Sequence, residues 1–191
     1  MNSPVKLGAL TQPSLRWMLG NVSRTIAFGF GSGLSPFAPG TVGTLWAWVV
    51  FLIGNEVLSK QAWLWIISGG LVLGCWICGK VSEELGGIDF GGIVWDEILA
   101  FWLILALIMP ASIPLQVLAF ALFRFLDAVK PGPIGKIDRY FKSLEKNHGP
   151  NTAKIGQILW HGFGIIADDL AAAFFTLLVI VLGNALMKYL L

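Results

Sequence analysis

Five carboxylates carry the chemistry this sequence offers: Asp96, Glu97, Asp127, Asp168 and Asp169 each lie in or at the edge of a strongly apolar stretch. An ionised carboxylate at membrane depth costs about 3 kcal/mol or more unless it is paired, hydrated or bound to a cation. Acids gathered together also repel one another, and a divalent cation relieves that repulsion. Oxygen-only ligands suit Mg²⁺ or Mn²⁺, whereas zinc would favour His or Cys. His148 and His161 are the only histidines, and Cys75 and Cys78 form a CxxC inside an apolar run, where small side chains packing in a helix are the simpler account. The helix macrodipole offers a purely structural reason for acids at helix starts, and it would cover Asp96, Glu97, Asp168 and Asp169. It does not cover Asp127, expected near the C-terminal end of its helix. Asp168 and Asp169 are adjacent and point about 100° apart on a helix, so they should serve different ligands.

A second group of residues suits phosphate. The stretch GFGSGLSPFAPGTVGT, residues 29 to 44, sets Ser32, Ser35, Thr41 and Thr44 among five glycines just ahead of an apolar helix. Such a loop brings backbone N–H groups and hydroxyls close to an anion, helped by the following helix N-terminus. It lacks GxxxxGK[ST], so it is not a nucleotide P-loop. The cations within reach are Arg124, Lys130 and Arg139. Arg124 stands three residues before Asp127, a spacing that serves an intrahelical ion pair as well as phosphate binding. Lys130 opens Lys130-Pro131-Gly132-Pro133, which ends a helix and turns the chain. No C-x₅-R loop, DxDxT motif or pair of catalytic histidines is present, so a covalent enzyme intermediate has no support.

The elements that must position these groups are helices in a membrane. Of 191 residues, 56% are hydrophobic and only 13% charged, beyond ordinary globular usage. The net charge of +2 is small, and the basic residues are spread over interface positions and one loop, which argues against nucleic acid. The first twenty-odd residues have no continuous apolar run and do not read as a cleaved signal peptide. The expectation is a single all-α integral membrane domain over 1–191, a bundle of about five segments. They run from about Thr44 to Leu58, Ala62 to Gly79, Ile93 to Met109, Ile113 to Val129 and Phe163 to about Met187, with Pro110 and Pro114 forcing a tight hairpin between the third and fourth. Asn55 and Glu56 shorten the first, so it either spans or re-enters. The distribution of Lys and Arg puts an N-terminal segment, 1–25, and a basic loop, 130–161, in the cytoplasm. All five carboxylates then fall on that face. Within the loop, Ile134, Ile137, Phe141 and Leu144 recur at helical spacing with Lys136, Arg139, Lys142 and Lys146 elsewhere on the wheel, which fits a short interfacial helix and a solvated connector equally well.

The blocks GFGSGLSPFAPGTVGT at 29 to 44, GGIVWDE at 91 to 97, FRFLDAVKPGPIGKIDR at 123 to 139 and GFGIIADDLAA at 162 to 172 resemble the bacterial phosphatidylglycerophosphatase A family. The resemblance implies a Mg²⁺-dependent, multi-pass enzyme of the bacterial inner membrane that removes the terminal phosphate of phosphatidylglycerophosphate. It carries over Asp96, Glu97, Asp127, Lys130, Asp138, Arg139, Asp168 and Asp169; the stretch from Tyr140 to His161 is longer than the family pattern. The expected arrangement has Asp96, Glu97, Asp127, Asp168 and Asp169 holding one or two Mg²⁺ that neutralise the phosphomonoester and position water. Asp127, Asp169, Asp96 and Lys130 form the expected catalytic set, with Ser32, Ser35, Thr41, Thr44, Lys130, Arg139 and Arg124 on the phosphate. Two rivals use the same acids: an ion-coupled transporter, whose acids should lie near mid-bilayer on broken helices, and a metal-dependent lipid phosphotransferase, whose DG-x₂-AR signature is missing.

Overall fold

A computed structural model describes residues 13–86, 90–145 and 155–190, and these contain helices and no strand. Lys6, Lys146, His148 and Lys154 lie outside the described residues, as do the side chains of Phe141, Lys142 and Leu144. Two short helices come first. Helix α1, Leu15–Leu19, starts where the Ser14 hydroxyl accepts the Trp17 N–H, and α2, Val22–Ala27, starts where the Asn21 side chain accepts the Ser23 N–H. A 3-10 segment over Gly29–Leu34 follows. Helix α3, Pro39–Asn55, begins with a proline at its first position, where a missing N–H costs nothing. Ser59 caps α4, Lys60–Glu84. Then come α5, Trp95–Ile108; α6, Ile113–Val129; α7, Pro133–Glu145; and α8, Ile155–Leu190.

Helix α5 is the axis of the molecule. Ile98, Leu99, Ala100, Phe101, Ile104 and Leu105 are all fully buried, and a helix apolar on every face must be surrounded. Its neighbours are α3, α4, α6 and α8. Trp102 donates its indole N–H to Ala47 O at 2.8 Å, fixing α3 alongside, and Phe101 stacks on Phe123 of α6 at 5.8 Å between centroids. Helices α4 and α8 cross backbone to backbone. A Cβ on Gly162 would run into Cys75 O, and one on Gly79 into Ile158 O, so glycine is required at both positions. A second apolar cluster, around Met18, Phe28, Ile77, Val81 and Ile165, packs α1 and α2 onto α4 and α8. The start of α5, with Asp96 and Glu97, lies where the two clusters meet, and the Val94 N–H ties it to Ala27 O at 2.9 Å.

The expected spans are corrected in three respects. Among the described residues, only α4 and α8, of 25 and 36 residues, are long and apolar enough to cross a membrane. The other three expected spans are helices α3, α5 and α6, of 17, 14 and 17 residues, and 14 residues reach only about 21 Å against a hydrocarbon core of about 30 Å. Second, α8 starts at Ile155 rather than Phe163, because Gly156, Gly162 and Gly164 interrupt its apolar pattern without breaking the helix. Asp168 and Asp169 therefore sit nearly four turns in, and the macrodipole explanation for them fails. Third, the basic loop expected over 130–161 holds α7, where a short helix is one of the two expected readings, and also the first turns of α8, which are not expected there. Helix α7 lies against α8, and Ile134 is buried in the main core. Outside the core, α3, α4, α6 and α8 present large apolar side chains to the surroundings, among them Val49, Trp65, Val72, Phe125, Phe174 and Val181.

Candidate phosphate and metal site

Two helices bring carboxylates to one point. Asp96 and Glu97 come from the first turn of α5 and Asp169 from the middle of α8, and one oxygen of each lies within 4.8 Å of the others. Asp96 and Asp169 are 5% and 3% exposed, so water cannot screen their mutual repulsion. The Asp96 carboxylate accepts the Glu97 N–H at 3.0 Å, which fixes one of its oxygens at the helix start. Glu97 Oε2 and Asp169 Oδ1 are buried and accept no hydrogen bond. Unsatisfied buried anionic oxygens are costly and call for a cation. The donor set is all oxygen, and its spacing and orphaned lone pairs fit a hard divalent ion such as Mg²⁺ or Mn²⁺.

Asp127 joins this group from the last turn of α6 and adjoins both Glu97 and Asp169. Its position at a helix C-terminus is offset by Arg124, whose Nη1 lies 2.7 Å from Asp127 Oδ2 and 3.7 Å from Glu97 Oε1. The same Nη1 donates to Thr44 Oγ1 at 3.5 Å, and the Thr44 hydroxyl donates to Gly40 O. Arg124 thus links α3, α5 and α6, yet its Nε–H is buried without an acceptor. Opposite unsatisfied groups, a carboxylate oxygen and a guanidinium N–H, stand together in one place.

Lys130 makes a second polar centre beside the first. Its ammonium pairs with Asp138 of α7 at 2.8 Å and with Asp168 of α8. Burial works against its charge, but Asp168 and Asp138 outweigh that and hold the ammonium pKa above its ordinary value. The backbone is bent to deliver it. Lys130 closes α6 in the left-handed conformation, φ 47°, a place where helices normally carry glycine. Asp168 is therefore set on Lys130 while its neighbour Asp169 faces the other acids.

The remaining residues expected at the site are placed as follows. Thr44 is buried against Arg124. Thr41 lies partly buried on the first turn of α3. The Ser32 hydroxyl donates to Gly29 O and the Ser35 hydroxyl to Phe37 O, each at 2.8 Å, so both protons are committed within the loop. Arg139 is exposed on α7. Gly40 was not singled out by sequence reasoning, and a Cβ there would overlap Glu97 Oε1 and lie 2.9 Å from Arg124 Nη2. No spacing rule points to it, because the contact is made across three helices.

Carboxylate oxygens within 4.8 Å of one another, flanked by a guanidinium and an ammonium, can hold a cation and an anion side by side. The chain belongs to the phosphatidylglycerophosphatase A family, whose model, Phosphatidylglycerophosphatase A, matches residues 25–145. It is 35% identical over 179 residues to a phosphatidylglycerophosphatase A of Haemophilus influenzae, covering 94% of this chain and 93% of that protein. It is 33% identical over 157 residues to the Escherichia coli protein of that name, covering 82% and 80%. A candidate phosphatidylinositol-3-phosphatase of Bacteroides thetaiotaomicron is 33% identical over 166 residues, covering 83% of this chain and 91% of that protein. No solved structure matches.

Proposed function

We propose that the protein hydrolyses the terminal phosphomonoester of phosphatidylglycerophosphate to phosphatidylglycerol, using a divalent cation, Mg²⁺ by choice of ligands, at a membrane interface. The observation that carries this reading is the cluster of Asp96, Glu97 and Asp169 within 4.8 Å, with orphaned carboxylate oxygens beside the orphaned Arg124 Nε–H. A cation binding only carboxylates needs no guanidinium. A site for a cation and a phosphate oxygen together needs both.

Asp96, Glu97, Asp127 and Asp169 would hold the ion, which supplies neutralisation of the phosphate charge and activation of water. Arg124 offers Nε–H to a non-bridging phosphate oxygen, in the fork geometry suited to it. Lys130, held between Asp138 and Asp168, supplies a second positive charge beside the site where charge develops. A carboxylate of the cluster left outside the ion's coordination takes the proton from the attacking water.

We further infer a multi-pass arrangement in the bacterial inner membrane, with the carboxylates toward the cytoplasm. Support comes from the outward apolar side chains of α3, α4, α6 and α8, and from the crowding of Arg16, Arg24, Lys80, Lys130, Lys136 and Arg139 at the carboxylate end, against Lys60 and Lys188 at the other. In this setting the acyl chains stay in the bilayer and only the headgroup enters the site.

The test is product analysis with purified protein in mixed micelles. Phosphatidylglycerophosphate should yield phosphatidylglycerol and inorganic phosphate, and an added alcohol acceptor should not be phosphorylated. Faster phosphate release from a phosphatidylinositol phosphate would move the reading to the chemistry named for the Bacteroides relative. No phosphate release from either lipid would end it.

A further inference from the structure

Gly40 occupies a crowded position among charged side chains. It is buried in the first turn of α3, with ordinary helical backbone, so its conformation does not require glycine. What requires glycine is the space. A Cβ built there overlaps Glu97 Oε1 and comes within 2.9 and 3.2 Å of Arg124 Nη2 and Nη1. Distances under 3 Å between a Cβ and a polar atom are not tolerated without movement. The obstacles are side-chain ends, so they move rather than the backbone, and moving them disturbs the contacts they make. Arg124 is held by Asp127 at 2.7 Å and by Thr44, whereas Glu97 Oε1 stands 3.7 Å from Arg124 and Oε2 has no hydrogen bond, so Glu97 is the group that gives way.

Thr44, one turn on, shows the same face in use. Its hydroxyl donates to the Gly40 carbonyl and accepts from Arg124. Gly40 and Thr44, one turn apart, therefore form a shelf for a guanidinium–carboxylate pair, bare at Gly40 and with the Thr44 hydroxyl serving as a stop.

We propose that Gly40 is a positioning residue: its missing side chain lets the Glu97 carboxylate and the Arg124 guanidinium meet against α3, and any side chain at 40 displaces Glu97 from the acid cluster. The inference rests on the reading of Asp96, Glu97 and Asp169 as the cation site. Alanine is the better helix former, so a substitution here should not unwind α3. Its cost falls on the cluster.

A compensating pair of changes provides the test. Glu97→Asp draws the carboxylate back by about 1.5 Å, the length of one carbon–carbon bond, and makes room for the methyl of Gly40→Ala. Three variants, G40A, E97D and G40A/E97D, are compared with the parent. Phosphate release from phosphatidylglycerophosphate is measured against Mg²⁺ concentration, and the thermal midpoint of the idle protein with and without Mn²⁺. G40A should lose about 100-fold in kcat/KM, need more Mg²⁺ for half-maximal rate, and lose its Mn²⁺-induced rise in midpoint. G40A/E97D should exceed G40A by about tenfold and regain the rise. Parental behaviour of G40A would overturn the proposal, as would a double variant no better than the product of the two single effects. If G40A does not accumulate as folded protein, recovery of folded, Mn²⁺-responsive protein in the double variant supports the proposal, and failure to recover overturns it. Asp169→Asn tests the parent reading separately: full activity in that variant removes the cation site itself, whatever Gly40 does.

Discussion

Lys130 offers a perturbation in which stability and activity should move apart. Its backbone is left-handed at φ 47°, a conformation that costs a side-chain-bearing residue about 1–2 kcal/mol and glycine almost nothing. Its ammonium holds Asp138 and Asp168. Lys130→Ala and Lys130→Gly both remove the ammonium, but only Ala keeps the backbone cost. The glycine variant should therefore be the more stable of the two by about 1 kcal/mol, which for a chain of this size is about 2–4 °C in thermal midpoint. Neither should work: with the second positive charge gone, phosphate release should fall at least about 100-fold, or about 2.7 kcal/mol of transition-state stabilisation. The assay is a melt in detergent beside a phosphate-release time course on the same samples. Equal midpoints for Ala and Gly would refute the argument from backbone strain. A parental rate in Lys130→Gly would refute the role of the ammonium.

Asp169→Asn should reduce phosphate release by about 10³-fold, yet in EDTA it should melt no lower than the parent, because one of three mutually repelling carboxylates is neutralised. Arg124→Ala should cost about 3 kcal/mol in stability, since it strands Asp127 and Glu97 in a largely buried site, and Arg124→Lys should recover little of the activity because one ammonium cannot span Asp127, Glu97 and Thr44. Ser32→Ala and Ser35→Ala should stay within about threefold of the parental rate, as both hydroxyls are committed to loop carbonyls. The Lys130 pKa is raised in the fold, so its ion pairs stabilise fully below about pH 10.4, the ordinary lysine value, and fade only as pH rises through the raised folded value. The midpoint difference between the parent and Lys130→Met should accordingly stay flat from roughly pH 6 to 9.

Much of the fold lay open in the sequence, because apolar runs and proline punctuation are local. Helix α6 occupies Ile113–Val129, the segment expected, with the proline-bounded hairpin ahead of it. The early residues were harder. The caps Ser14 and Asn21 that start α1 and α2 are visible as residue types but not compelling without the partners these helices pack on. The start of α8 was hidden by glycines that read as a loop and instead permit the close crossing with α4. At the site, residue type within apolar surroundings puts Asp96, Glu97 and Asp169 among the five expected ligands, although Asp169 stands in the middle of α8 and not at the helix end expected for it. The separate pairing of Asp168 with Lys130, and the bare space at Gly40, are three-dimensional facts. They depend on how α3, α6, α7 and α8 meet around α5, which no spacing along one helix encodes.

The most direct measurement is a Mg²⁺ titration of phosphate release from phosphatidylglycerophosphate by the purified protein and by its Asp169→Asn variant. The account predicts a rate that rises from the EDTA baseline to saturation in the parent and stays near baseline in the variant at every Mg²⁺ concentration. Undiminished release in EDTA, or an unchanged titration curve in Asp169→Asn, would contradict it.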